Sequence, residues 1–291
     1  MIDLQVNGAA GHDLTSDPER LWDVAAALPA YGVTSFLPTV VTSDPAVPAR
    51  ALEVLAAGPP SGWSGAEPLG LHVEGPMLAP ARKGAHPPQW LRDPSPELVA
   101  GWSREAGVAM VTLAPELPGA LAVISDLVER GVVVSLGHTE ATAAEVAAAV
   151  EAGARCVTHL GNAMPAMLAR EPGPIGAALG DDRLVAGLIV DGHHLDPWFV
   201  RAAWAALGPE RLLLVSDTTA ALGLPDGPTR LGDQDVVLAD GAVRLADGTL
   251  AGSAASLRDG VHLLAETVGV TAEEAAVCAT STPLRLLGLV P

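Results

Sequence analysis

Four widely spaced residues have side chains that bind metals and move protons: Glu74, His138, His159 and Asp217. One carboxylate and two imidazoles form the kind of three-donor set a catalytic zinc takes, leaving a fourth position open to water. A cation held this way lowers the pKa of a bound water from 15.7 towards about 7, which makes hydroxide available at neutral pH. A nearby carboxylate such as Asp217 can accept that water's proton and deliver it to a leaving group. The predicted chemistry is metal-assisted hydrolysis. A lone histidine at a strand end is as often a core residue as a ligand, but three coordinating types at one rim argue for a site. Asp217 next to Ser216 also reads as a helix cap. His72, two residues before Glu74 and on the same strand face, reads equally as a partner of the site or a buried structural histidine.

Strands must bring these residues together. Short apolar runs at Ile2–Asn7, Val33–Leu37, Leu69–Glu74, Val108–Leu113, Val132–Gly137, Arg155–His159, Val185–Val190 and Leu212–Ser216 predict eight parallel strands buried on both faces. Helical segments alternate with them. Asp17-Pro18 opens one that ends before Gly32, Thr142 caps Ala143–Ala152 ahead of Gly153, and Asp196-Pro197 opens one reaching Gly208. The alternation predicts an α/β chain closed into a (β/α)8 TIM-type barrel of the metal-dependent hydrolase kind, a single catalytic domain over residues 1–291. Such barrels work at the C-terminal ends of their strands, where Gln5, Asn7, Glu74, His138, His159, His194 and Asp217 all fall.

Two stretches break the rhythm. Residues 75–107, with Pro76, Pro80, Pro87, Pro88, Pro94 and Pro96, predict a long structured loop holding one short helix. Residues 223–253 predict a β-hairpin excursion after strand 8, with Val236–Leu238 and Ala242–Leu245 on either side of Ala239-Asp240-Gly241. Two helical segments, about 254–268 and 271–287, finish the chain.

A formal net charge of −18 argues against nucleic acid or an anionic membrane as partner, and it leaves any anionic substrate to a few local cations. In the segment after His159, Asn162 and the backbone N–H of Ala163 are placed to hold phosphate or hydroxyl oxygens, with Arg170 supplying charge. Of the doublet His193-His194, one ring is expected to face away. Cys156 and Cys278 suggest no disulfide framework, so a reducing cytoplasm is expected. Asp3, Gln5 and Asn7 interrupt the opening apolar run, so no signal peptide is read there, and no stretch approaches the roughly 18 apolar residues of a membrane span.

Several motifs carry a family resemblance. Asp3–Gly8, Gly70–Pro76, Lys83–His86, Gly137-His138-Thr139, Thr158–Pro165, Arg170–Gly173, Asp191–His194 and Val215-Ser216-Asp217 together resemble the N-acetylglucosamine-6-phosphate deacetylases of the amidohydrolase superfamily, in order and spacing. The resemblance implies metal ligation by Glu74, His138 and His159, acid/base work by Asp217, and His86 beside the acetamide carbonyl. It assigns Asn162, Ala163, Arg170 and His194 to the sugar phosphate, and it implies a homodimer that shares phosphate contacts between subunits. Gln5-x-Asn7 stands where two-metal relatives carry His-x-His, and amides are poor zinc ligands, so one divalent ion is expected: zinc first, with iron or manganese compatible. Gly161 stands where relatives often carry a larger residue. The small β-domain that such proteins build from residues flanking the barrel is expected to be missing. The expected reaction converts N-acetylglucosamine 6-phosphate to glucosamine 6-phosphate and acetate. The alternatives are deacetylation of another N-acetyl amino-sugar phosphate, cyclic-amide hydrolysis, and a catalytically dead sugar-phosphate-binding barrel.

Overall fold

In the computed structural model, which describes residues 1–289, eight parallel strands lie in chain order. They are β1 (Ile2–Val6), β2 (Ser35–Val41), β3 (Leu71–Glu74), β4 (Val108–Leu113), β5 (Val133–Leu136), β6 (Cys156–Val157), β7 (Val185–Leu188) and β8 (Leu212–Leu214). A parallel bridge between Val6 and Thr218 joins the continuation of β8 back to β1, so the ring nearly closes. All eight predicted strands are present. Several are shorter than their apolar runs, because backbone pairing stops where the chain turns into the loops that carry chemistry.

Burial explains why apolar residues dominate these strands. Their outward faces meet the helices in one large apolar cluster, in which Val111, Leu113, Val134, Leu136 and Leu188 pack against Ile124, Leu127 and Val200. The inside of the ring holds a smaller cluster with Leu4, Leu37, Met110, Cys156, Leu213 and Val215. Next along the strands comes a polar layer of Thr39, His72, Thr112, Ser135 and Thr158, all fully buried or nearly so. One or two residues further along, the chain reaches Glu74 and His159.

The helix boundaries follow their capping chemistry. Helix α1 (Ala143–Glu151) starts with a reciprocal Thr142–Glu145 capping box, which satisfies two backbone N–H groups left free by the first turn. In α2 (Pro197–Arg211), Asp196 accepts from the Trp198 N–H and Pro197 occupies the first turn, while Gly208 at φ 61° breaks the helical path as predicted. Helix α3 (Leu257–Val268) has a Ser256–Asp259 capping box. The predicted helix over 271–287 divides into α4 (Ala272–Ala276), a 3₁₀ turn, and α5 (Ser281–Leu286), where Pro283 cannot donate to the preceding turn.

The two excursions depart from expectation. Residues 75–107 contain two single 3₁₀ turns, Pro80–Arg82 and Pro88–Trp90, in place of a short α-helix, since the prolines remove the donors that a helix needs. The second excursion is larger than a hairpin. It is a four-stranded antiparallel sheet of β9 (Gly227–Leu231), β10 (Gln234–Ala239), β11 (Ala242–Arg244) and β12 (Leu250–Ser253). The turn Asp240-Gly241 has φ of 51° and 78°, the doubly positive pair that a tight hairpin requires. Leu231, Val236, Leu238, Val243 and Ala251 form the core of this sheet and close over Val41 at the end of β2. No helix among the described residues is long and apolar enough to cross a membrane.

Candidate active site

Glu74 ends β3, and His138 and His159 each lie two residues beyond β5 and β6. Their ligand atoms converge. His159 Nε2 is 3.2 Å from Glu74 Oε1, His138 Nε2 is 3.3 Å from the same oxygen, and the two Nε2 atoms are 3.1 Å apart. His138 Nδ1 lies 2.8 Å from the Arg82 carbonyl, which can only accept, so Nδ1 carries the proton. A neutral His138 therefore presents an Nε2 lone pair to a carboxylate and a second imidazole. Three electron-rich atoms at such separations need a proton or a cation among them. The donor set and its orientation fit a divalent ion of the zinc type.

The backbone is strained where it aims these groups. Of six non-glycine residues with positive φ among the described residues, four are His138 (49°), His159 (31°), Ala163 (53°) and Asp217 (49°). The left-handed conformation costs an L-residue roughly 1–2 kcal/mol, and it persists only where the surroundings over-determine it. Gly75 makes the turn out of β3 possible: at φ 84°, a Cβ there would sit 2.2 Å from Thr42 Oγ1.

Neighbouring amides hold the carboxylates. Gln5 Nε2 donates to both oxygens of Glu74 at 3.3 Å, and Asn7 Nδ2 donates to Asp217 Oδ1 at 2.7 Å. Burial opposes ionisation of Glu74, but the His138 and His159 side chains set against it outweigh burial and keep the carboxyl well below its ordinary range. Asp217 goes the other way. Burial, then the nearby Glu74 charge, push it up to about 7.

His86 is also buried, and desolvation above all pushes its ring down to about 3. It is thus neutral, and its Nδ1 accepts from the Thr42 backbone N–H at 3.3 Å. The remaining proton must sit on Nε2, 4.0 Å from Glu74 Oε2. His86 therefore offers an N–H to the cavity. His72 does not reach the cavity. It bonds Thr39 at 3.2 Å and Thr112 at 2.8 Å, and Thr112 continues to Thr158 (2.8 Å) and Ser135 (2.6 Å from Thr158), stitching five strands together below the ligands.

These groups line a cavity of about 290 Å³ together with Asn7, Asn162, Ala163 and His194. Asn162 is anchored by its amide on the His159 carbonyl at 3.3 Å, and His194 Nδ1 by Asp191 at 2.7 Å. As expected of the doublet, the His193 residue is exposed. Gly161, at φ 91°, holds a backbone conformation that strains any side chain, and a Cβ there would press on the Phe199 ring at 3.0 Å. Arg170 is the predicted site residue that the fold does not bring in: it lies in the exposed segment 166–170 and does not line the cavity.

Sequence reasoning missed two contributors. Arg82 lines the cavity while its Nε pairs with Glu140 at 3.2 Å, and its carbonyl orients His138; only its place beside Lys83–His86 pointed to it. The excursion sheet adds Leu231 and 249–252 as a wall. Gly252 permits this, because a Cβ there would lie 2.9 Å from the Asp217 carbonyl oxygen.

Comparison with known proteins agrees with this architecture. The model of the amidohydrolase family matches residues 19–290. N-acetylglucosamine-6-phosphate deacetylase of Bacillus subtilis (strain 168) is 39% identical over 244 residues, which are 82% of this chain and 62% of that protein. N-acetylgalactosamine-6-phosphate deacetylase of Escherichia coli O157:H7 is 39% identical over 293 residues, 99% of this chain and 77% of that protein. The chain thus spans about three fifths of the length of the first of these relatives and about three quarters of the second. Among solved structures, N-acetylglucosamine-6-phosphate deacetylase of Thermotoga maritima superposes with a TM-score of 0.91 at 32% identity, covering 99% of this chain and 78% of that one. A mutant of the Mycobacterium smegmatis enzyme in complex with N-acetyl-D-glucosamine-6-phosphate gives 0.90 at 38% identity, covering 99% and 76%. The chain belongs to the amidohydrolase family, alongside the deacetylases of N-acetylated amino-sugar 6-phosphates.

Proposed function

We propose that this protein hydrolyses the acetamide of N-acetylglucosamine 6-phosphate, releasing acetate and glucosamine 6-phosphate. The observation that carries the reading is the convergence, on one cavity, of three cation ligands, a proton-carrying carboxylate and a neutral imidazole N–H. Glu74, His138 and His159 would hold a single divalent ion, zinc first; Gln5 and Asn7 supply amides where a second ion would need stronger ligands. When bound, such an ion acidifies water and polarises the acyl oxygen.

The chain's own groups do the rest. Asp217, pushed up to about 7, takes a proton from the attacking water and gives it to the departing amine nitrogen as the C–N bond breaks. Asn7 fixes the carboxylate for both transfers. The His86 Nε2–H donates to the carbonyl oxygen as negative charge builds there. Asn162, the Ala163 N–H and His194 receive the sugar phosphate.

Arg170 serves this phosphate from a second copy of the chain. It is exposed, and its loop also exposes Met167 (53%) and Leu168 (56%), apolar side chains suited to a homodimer interface. Two buried free cysteines suit a reducing cytoplasm. The galacto epimer is the second reading, because the E. coli relative, 39% identical over 99% of this chain, is an N-acetylgalactosamine-6-phosphate deacetylase.

Metal analysis of the purified protein, paired with acetate release from the gluco and galacto N-acetylhexosamine 6-phosphates, tests the proposal. About one divalent ion per chain with acetate released from the gluco substrate is expected. Sugar-phosphate binding without acetate release would overturn hydrolysis and leave a binding barrel.

A further inference from the structure

The cavity is not uniform around its rim, and the strand order fixes what faces what. Asn162 and Ala163 follow β6 and His194 follows β7, whereas Val41 ends β2. In a ring of eight strands, β2 and β6 are four places apart, on opposite sides. The β6–β7 side carries the polar groups Asn162 and His194, beside Ile189. The β2 side is mostly apolar, formed by Val41, Ala85, Leu231 and Ala251 with Thr249.

This apolar side belongs to one packed unit. Val41, Leu231 and Ala251 share the core of the excursion sheet, with Ala85 packed against it. The unit also abuts the reacting groups. Val41 pairs with Glu74 across the β2–β3 ladder, its neighbour Thr42 holds His86 through the backbone, and Ala85 precedes His86. A substrate amide whose carbon sits at Glu74, His138 and His159 has its nitrogen and sugar drawn toward the β6–β7 side. Its acyl substituent must then extend the other way.

We infer that Val41, Ala85, Leu231 and Ala251 form an acyl-selecting wall that admits a methyl group and rejects longer acyl chains. The inference rests on the deacetylase reading and deepens it. The excursion sheet thereby acquires a role in specificity: its core residues set the depth of the acyl pocket. Leu231 is 6% and Val41 7% exposed, so each presents only a small part of its surface and has nowhere to withdraw.

The test compares hydrolysis of N-acetyl- and N-butyryl-glucosamine 6-phosphate by the metal-loaded wild type, Leu231→Ala and Val41→Ala. One methylene in an apolar pocket is worth about 10–200-fold in discrimination. The wild type should favour acetyl by at least about 100-fold, and either variant should narrow that ratio by about 10-fold or more, chiefly through a gain on the butyryl substrate. Val41→Ala removes less volume and serves if Leu231→Ala does not fold. A wild type that releases acetate while both folded variants keep its acyl preference would overturn the wall alone. A wild type that releases neither acyl group would overturn the deacetylase reading and the wall with it.

Discussion

The ligand ring and the loop after His159 lie only a few residues apart in sequence, yet the fold treats them very differently. Glu74, His138, His159 and Asp217 are each less than 10% exposed, and Glu74, His138 and Asp217 each have an intramolecular partner that fixes orientation. Residues 166–170 are exposed, and Arg170 there has no ion-pair partner among the described residues. The barrel over-determines the first region through strand ends, amides and carbonyls. It leaves the second without such partners, and the proposed second copy of the chain would supply them. The ring can therefore be tested by removing single atoms, whereas the loop must be tested between molecules.

Asp217→Asn should produce the largest effect on the ring. The amide keeps the size and a possible contact with Asn7 but carries no proton between water and amine. Turnover should fall by about 10³–10⁴-fold, with metal content unchanged by elemental analysis. A variant retaining a tenth of wild-type turnover would break the assignment of the ring as a proton-transfer site.

For the loop, Arg170→Ala should raise KM for the phosphorylated substrate about 10–100-fold, the loss of a charge-assisted hydrogen bond. The unphosphorylated sugar should be little affected. Mixing this variant with Asp217→Asn sharpens the comparison. If Arg170 acts across an interface, the hybrid pairs an intact catalytic ring with an intact arginine from the other chain and regains the wild-type KM. If Arg170 folds back into its own cavity, mixing recovers nothing.

The same contrast governs what could be read from sequence. Strand ends were legible because burial on both faces demands apolar runs, and a histidine or carboxylate ending such a run stands out. The eight strands and the placement of Glu74, His138, His159 and Asp217 followed from that. The excursion was only half legible: Val236–Leu238 and Ala242–Leu245 are short, mostly apolar runs on either side of a turn, but Gly227–Leu231 contains Pro228 and Arg230 and lacks that pattern. Its pairing is decided by tertiary contact with Val41. The service of the Arg82 carbonyl to His138 left no trace in residue type, since every residue has a carbonyl. Arg170 was legible as a cation near the site but not as one lying exposed outside the cavity, because sequence order does not say which way a loop faces.

Asp3 offers the smallest effect and the finest test of how far the ring's stitching extends. Its Oδ1 accepts from the backbone N–H of Gln5 at 3.3 Å and of Ser216 at 3.2 Å, tying β1 to the segment that carries Asp217. Burial pushes this carboxyl up to about 6, against hydrogen bonds from Ser216 that pull it down. Because the folded pKa lies above the unfolded value, the native state binds more protons between about pH 4 and pH 6. Stability from this group is therefore present below the unfolded pKa and lost as pH rises through the folded one. Asp3→Asn retains an acceptor at Oδ1 without a buried charge. In thermal or denaturant unfolding at fixed metal content, the variant should lack this decline and gain on the order of 1–3 kcal/mol over wild type by pH 7. Turnover should change by less than about threefold, since Asp3 touches neither the ligands nor the cavity. An Asn variant less stable than wild type at pH 7 would show that the ionised carboxylate strengthens the stitch, and that the ring's over-determination depends on charge as well as on hydrogen bonding.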